Sequence, residues 1–326
     1  MSKLEVRTVD VIQYLQPLRE GGSLPAIVEA DDDFLYVLKF RGAGQGKKAL
    51  IAELLGGLLA QAMGLKVPEL VFMNLDDSFS KTEPLREGGS LPAIVEADDD
   101  FLYVLKFRGA GQGKKALIAE LLGGLLAQAM GLKVPELVFM NLDDSFSKTE
   151  PDQEIQDLLK FSVGLNLGLH FLSGAITYDP LVSIADAYSA SKVVLLDSII
   201  MNIDRTAKNT NLLNWKRELW LIDHGASLYF HHNWANWEAY LSRTFPPIKD
   251  HVLLERADQL PEAAKDIQAQ IDKDKIKEIV GLIPEDWLSE ESSSLSVEEK
   301  RTAYIRFLNS RFEKIDLLLK EALDAK

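Results

Sequence analysis

Asp204, Asn209 and Asp223 are the residues of this chain whose types and spacing point most directly to chemistry. They stand in one stretch, residues 201–225, where Asp204 and Asn209 are five apart and Asp223-His224-Gly225 closes the segment. Phosphoryl transfer from ATP needs such a set: one carboxylate facing the acceptor hydroxyl, and an amide oxygen with a second carboxylate to hold Mg²⁺ against the phosphates. Asp, Asn and Gly are also ordinary turn residues, so an Asp and an Asn at this spacing mean little alone. A downstream hairpin leading into Asp-x-Gly makes the combination more demanding.

The elements that must position these groups are legible around them. The apolar run Val193 to Ile200 reads as a helix feeding the polar segment that holds Asp204. Leu212-Leu213 and Leu219 to Ile222 read as two short strands, joined by the polar turn Asn214-Trp215-Lys216-Arg217. Helix, loop, hairpin and Asp-x-Gly would bring the three groups together from two adjacent loops. In this order the chain resembles the protein-kinase-like superfamily, with Asn202-Ile203-Asp204 where that group has His-Arg-Asp and Asp223-His224-Gly225 where it has Asp-Phe-Gly.

The first half contains an exact repeat. Residues 17–83 recur at 84–150 without a difference, a period of 67 residues (84 minus 17), and Pro151 starts a third unit that departs at once with Asp152-Gln153. Solenoid repeats drift in sequence and run shorter than this. A perfect copy points to a very recent duplication, a deliberate one or an error of assembly. Removing one copy leaves 259 residues (326 minus 67), enough for a small two-lobed kinase.

Each unit reads as strand, strand, helix, strand: 26–30, 34–40, 47–63 and 67–73, with copies at 93–97, 101–107, 114–130 and 134–140. That is the layout of a kinase N-lobe. On it Lys39, or Lys106 in the second copy, ends the third strand as an ATP-phosphate lysine, and Glu53 or Glu120 sits in the next helix as its ion-pair partner. Gly22 and Ser23, or Gly89 and Ser90, precede the second strand, where backbone amides could lie over nucleotide phosphates; an ordinary turn explains them nearly as well. Copy two is tethered to the second half and is favoured to build the site. Its weakness is the preceding segment Asp76 to Glu83, a poor leading strand beside the Leu4 to Leu15 of copy one. The unused copy is expected to expose an apolar helix face.

Composition narrows the function classes. With 36 Lys plus Arg against 50 Asp plus Glu, the net charge is −14 and no basic patch stands out, so nucleic acid is not an expected partner. There are no cysteines, which excludes disulfides, thiolate metal sites and Cys nucleophiles. No apolar run approaches the ~20 residues that span a bilayer, and residues 1–7 lack a signal-peptide core. A cytoplasmic protein without a membrane partner is expected.

Other motifs weigh less. Arg41 to Lys47 imitates a Walker A loop but lacks its first glycine, and Lys48 stands where Ser or Thr is required. Tyr188 and Lys192 have the spacing of a short-chain dehydrogenase pair, yet no serial βαβ pattern accompanies them. His231 and His232, adjacent on a segment read as extended, point to opposite sides and are a poor metal pair. Residues 161–168 and 171–175 read as the hinge and the cleft wall against adenine, and from Asn236 onward the chain reads as amphipathic helices.

Taken together, the chain is similar to the HipA-like kinases of bacteria. The motifs that carry the likeness are Gly-Gly-Ser-Leu-Pro-Ala-Ile-Val-Glu-Ala, Tyr-Val-Leu-Lys-Phe, Ala-Leu-Ile-Ala-Glu-Leu, Met-Asn-Ile-Asp-Arg-Thr and Leu-Ile-Asp-His-Gly-Ala-Ser-Leu-Tyr-Phe. The resemblance implies an α+β, two-lobed protein-kinase-like fold: an N-lobe in 1–150 with a small sheet and one helix, and a mainly helical C-lobe in 151–326. It implies ATP and Mg²⁺, Asp204 as base, Asn209 and Asp223 as metal ligands, and Lys39 or Lys106 on the phosphates. The acceptor would be a hydroxyl of a protein or small molecule, and a protein partner is a further expectation. The alternative reading is a nucleotide-binding, pseudokinase-like module without turnover.

Overall fold

A computed structural model describes residues 8–17, 26–30, 32, 35–38, 47–63, 68, 70–74, 83–84, 93–99, 101–148, 153–181, 183, 185–289 and 295–326. Unit one comprises β1 (Thr8–Pro17), β2 (Ala26–Ala30), β3 (Leu35–Leu38), α1 (Lys47–Ala62) and β4 (Phe72–Asn74). Unit two follows with β5 (Glu83–Pro84), β6 (Ala93–Glu96), β7 (Leu102–Lys106), α2 (Lys114–Ala129) and β8 (Leu137–Leu142). The second half begins with α3 (Gln153–Phe161), β9 (Gly164–His170), β10 (Ile176–Thr177), α4 (Ala187–Ile200) and the hairpin β11 (Leu212–Trp215) and β12 (Glu218–Leu221). It closes with α5 (Leu260–Gln270), α6 (Lys273–Gly281), α7 (Glu285–Leu288), α8 (Val297–Glu313) and α9 (Ile315–Ala325). The fold is α+β.

The two units build separate sheets. In unit one the order is β3-β2-β1-β4, and β1 pairs antiparallel with β2 and parallel with β4. In unit two the order is β5-β6-β7-β9-β8, antiparallel throughout. The leading strands share one register. Gln16 and Pro17 face Ile27 and Ala26, while Glu83 and Pro84 face Ile94 and Ala93. The described part of the leading strand covers Glu83–Pro84 in unit two and Thr8–Pro17 in unit one.

Several spans differ from the sequence reading. The strands expected at 67–73 and 134–140 run over Phe72–Asn74 and Leu137–Leu142, because Pro68 and Pro135 have no N–H to give to a ladder. Residues 161–168 do not form a hinge. Phe161 ends α3, and Gly164–His170 is a strand between β7 and β8, so the small-lobe sheet draws on chain beyond residue 150. Leu165, Leu167 and Leu169 alternate as a strand requires, a period obscured by the flanking glycines. Between Tyr229 and Arg256 the chain runs through four 3₁₀ segments, not α-helices, and Pro246-Pro247 help to stop any longer helix. None of the described helices is long and apolar enough to cross a membrane.

One core dominates. Leu117, Ile118, Leu122, Leu126 and Met130 of unit two pack with Val193, Val194, Leu196 and Ile200 of α4 and with the helices behind it. Alternation along β7 sends Tyr103 and Leu105 into a smaller cluster with Leu142 and Leu159, and leaves Val104 and Lys106 on the face toward α2. The same helical sequence meets another fate in α1: Ile51 is 55% exposed and Met63 76%, against 2% and 0% for their copies Ile118 and Met130.

Candidate active site

The site is assembled where unit two meets the second half. Lys106, at the end of β7, places its Nζ 2.9 Å from Glu120 Oε2 and 2.6 Å from Asp223 Oδ1. Glu120 lies on the buried face of α2, and its Oε2 also accepts the backbone N–H of His224 at 2.9 Å. One carboxylate therefore ties the β7 lysine to the Asp-His-Gly turn. Burial by itself pushes the Lys106 ammonium down, but the charges of Glu120 and Asp223 outweigh it and hold the pKa above its ordinary value. Burial likewise pushes Glu120 up, and the Lys106 charge and the His224 contacts hold it well below the usual carboxylate range. Both groups are ionised at neutral pH.

The turn fits this seat through its own backbone and a glycine beneath it. Asp223 has φ 55°, a left-handed conformation that Asp tolerates better than most side chains. His224 packs over Gly123, where an added Cβ would stand 2.6 Å from His224 Cβ. Its Nδ1 is 3.5 Å from Glu120 Oε1, too distant for a sound hydrogen bond, and neither atom has a hydrogen-bond partner among the described residues.

Asp204 and Asn209 belong to the loop after α4. Asp204 Oδ2 accepts Asn209 Nδ2 at 2.8 Å and Asn211 Nδ2 at 3.4 Å, and the Asp204 N–H donates to Asn202 Oδ1 at 3.2 Å. Donation through Nδ2 turns the Asn209 amide oxygen away from Asp204. The loop starts at Met201, a left-handed residue (φ 57°) that stops α4, and Asn211 is left-handed too (φ 48°). Positive φ at Met201, Asn211 and Asp223 marks backbone held in place by its surroundings.

A buried hub does much of that holding, and the sequence reading missed it. Asp197, the acid within the apolar run of α4, accepts Arg205 Nε at 2.6 Å, contacts His251 Nε2 at 2.9 Å and accepts Asn202 Nδ2 at 3.0 Å. Arg205 also donates to the carbonyls of Asn211 and Ile222, so one guanidinium joins the Asp204 loop to the strand entering Asp223. Asp197 and Arg205 are fully buried. Burial pushes the Asp197 carboxyl up, yet the Arg205 charge and the His251 bond hold it far below its ordinary value. A lone acid inside Val-Val-Leu-Leu-Asp-Ser-Ile-Ile was the available signal.

Unit two thus brings Lys106 and Glu120 to Asp223, while Asp204 and Asn209 meet on the neighbouring loop. Glu53 of unit one is exposed on α1. Lys39, Gly22, Ser23, Gly89 and Ser90 lie outside the described residues. Tyr188 and Lys192 serve packing: the Tyr188 hydroxyl donates to Asp266 at 2.6 Å, and Lys192 pairs with Asp266 at 2.7 Å and donates to the Met130 carbonyl at 2.9 Å. His231 and His232 sit on a 3₁₀ turn, not an extended segment, with their rings edge to face at 4.5 Å.

Oxygen donors of the kind seen at Asp223, Asn209 and Asp204 suit a hard divalent cation. Among the described residues no three acidic or histidine side chains cluster into an all-protein metal cage.

A small sheet carrying a Lys–Glu ion pair, set on a mainly helical half that bears Asp-x4-Asn, a hairpin and Asp-x-Gly, defines the protein-kinase-like fold. A family model described as HipA-like kinase matches residues 11–87 and 81–316, and the chain belongs to that family. Its first matched stretch spans unit one and the second spans unit two and the helical half. Among solved structures, a Helicobacter pylori proinflammatory kinase, CtkA, is similar at 14% identity over 76% of this chain and 97% of its own, with a TM-score of 0.48. A Golgi casein kinase with Mn/ADP bound is similar at 10% identity over 76% and 73%, with a TM-score of 0.44. Nothing among curated proteins matches the chain.

Proposed function

We propose that this HipA-like kinase is an ATP- and Mg²⁺-dependent phosphotransferase that moves the γ-phosphate to a hydroxyl of a protein or small molecule. The observation that carries it is the Lys106 ammonium bridging Glu120 and Asp223, since that bridge fixes a cation and a metal-seeking carboxylate at one point of the cleft. Lys106 holds phosphate oxygens, and Glu120 keeps the ammonium aimed and charged. Asp204 takes the proton of the acceptor hydroxyl as the oxygen attacks. Asn209, through its amide oxygen, and Asp223 would hold Mg²⁺, which neutralises charge on the transferring phosphates when bound. Both carboxylates already have partners here, Asp223 the Lys106 ammonium and Asp204 the Asn209 amide. Nucleotide entry would exchange some of these contacts for phosphate ones.

Incubation with γ-labelled ATP and Mg²⁺, following label transfer and ATP hydrolysis, tests the reading. Asp204→Asn should lower turnover roughly 10²–10⁴-fold, the usual worth of a positioned base. Equal measurable rates would remove Asp204 as the base, and no transfer by either protein with nucleotide still bound would instead favour a nucleotide-binding module without turnover.

A further inference from the structure

The chain holds two identical N-lobe units and one place to seat them. Every contact that unit two makes to the second half uses a residue that unit one also possesses. Lys106 and Glu120, which meet Asp223 and His224, have Lys39 and Glu53 as copies. Arg108 and Lys114, which both pair with Asp286, have Arg41 and Lys47. Gly123, under the His224 ring, has Gly56, and Met130, whose carbonyl accepts Lys192, has Met63. The stripe Ile51, Leu55, Leu59 and Met63, along α1 and just past its end, is exposed, whereas its copy Ile118, Leu122, Leu126 and Met130 is buried against α4 and the helices around it. The occupant that fits this exposed stripe is therefore the helical half of this same chain.

We infer that the two units exchange on that seat, so that unit one forms the alternative small lobe of the same molecule. The side-chain contacts across the seat are the same either way, because the sequences are the same. Two differences act in opposite directions. Seating unit one loops out 67 residues, a penalty that grows only logarithmically with length. In return the seated unit carries β1 (Thr8–Pro17) as its leading strand. Unit one would also have to give up its β1–β4 pairing to admit β9 beside β4, as β9 lies beside β8 in unit two.

The absence of cysteine makes the exchange measurable by disulfide trapping without reference to activity. A Cβ built on Gly225 stands 3.8 Å from Ala116 Cβ, the separation a disulfide needs. Gly225→Cys with Ala116→Cys reports unit two on the seat. Gly225→Cys with Ala49→Cys, the copy of 116, reports unit one. Leu181→Cys with Ala49→Cys is the control, Leu181 being exposed. Under mild oxidation of dilute native protein, the 116–225 bond should form fast. The 49–225 bond should accumulate within monomers at least tenfold more slowly, and the control should stay open. If 116–225 closes while 49–225 never does, or closes only between chains, exchange within the molecule is refuted. A control that closes as readily refutes it too. If 116–225 itself fails to close, the seat geometry falls and the proposed active site falls with it.

Discussion

The Asp197–Arg205 pair offers the sharpest test of how the site is held. Asp197→Asn keeps the shape but removes the charge, leaving the fully buried Arg205 guanidinium with no counter-ion and facing an amide where a carboxylate stood. With charge centres ~4 Å apart and an effective dielectric near 20, the lost attraction is about 4 kcal/mol. Breaking one side of a buried pair costs about 3–5 kcal/mol in general, because the remaining charge stays out of water. The bonds of Arg205 to the Asn211 and Ile222 carbonyls survive and argue for the lower end. Asp197→Asn should therefore lose about 3 kcal/mol, and Arg205→Met a similar amount. The double variant Asp197→Asn with Arg205→Met should lose clearly less than the sum, a coupling of roughly 2 kcal/mol or more. Urea unfolding midpoints at pH 7 measure all of these. The carboxyl is depressed in the fold, so its contribution is full above the unfolded value near 3.9 and disappears as pH falls through the folded one. Additive losses, or an Asp197→Asn midpoint that does not move, would show that the hub does not hold the loop.

The repeat supplies a comparison within one chain: Gly123→Ala must push the His224 ring aside and should cost about 1–3 kcal/mol. The same change at Gly56, where nothing lies within 4 Å of the new Cβ, should stabilise α1 by about 0.5–1 kcal/mol. Hydrogen exchange resolved by helix would separate the two, and equal signs would mean that the helices share one environment. Burial holds His231 neutral far below its usual range, aided by His232 and Lys115. The unfolded chain takes up that proton below pH ~6.5, so stability should decline on acidification by at most about 1.4 kcal/mol per pH unit, a slope that His231→Phe should reduce. Deleting 17–83 or 84–150 yields one and the same 259-residue protein (326 minus 67), in which the β1 strand runs directly into the seated unit. It should fold and unfold in a single transition by circular dichroism, and a disordered product would contradict the view that one unit is surplus.

The sequence alone was enough to mark the Asp204, Asn209 and Asp223 stretch, the helix and hairpin that frame it, and the lysine–glutamate pair of unit two. Their signals are local: periodicity, turn residues and spacing are properties of neighbouring residues. It also revealed the exact repeat, which needs no structure to see. It did not show that Gly164–His170 is a strand inside the small sheet, because its place depends on β7 and β8 as partners. Nor could it expose the hub, since Asp197, Arg205 and His251 meet only after the loops close. The repeat states the reason most directly. One sequence forms the same helix twice, yet Glu120 is buried at the site while Glu53 is exposed, because burial is decided by what a segment packs against.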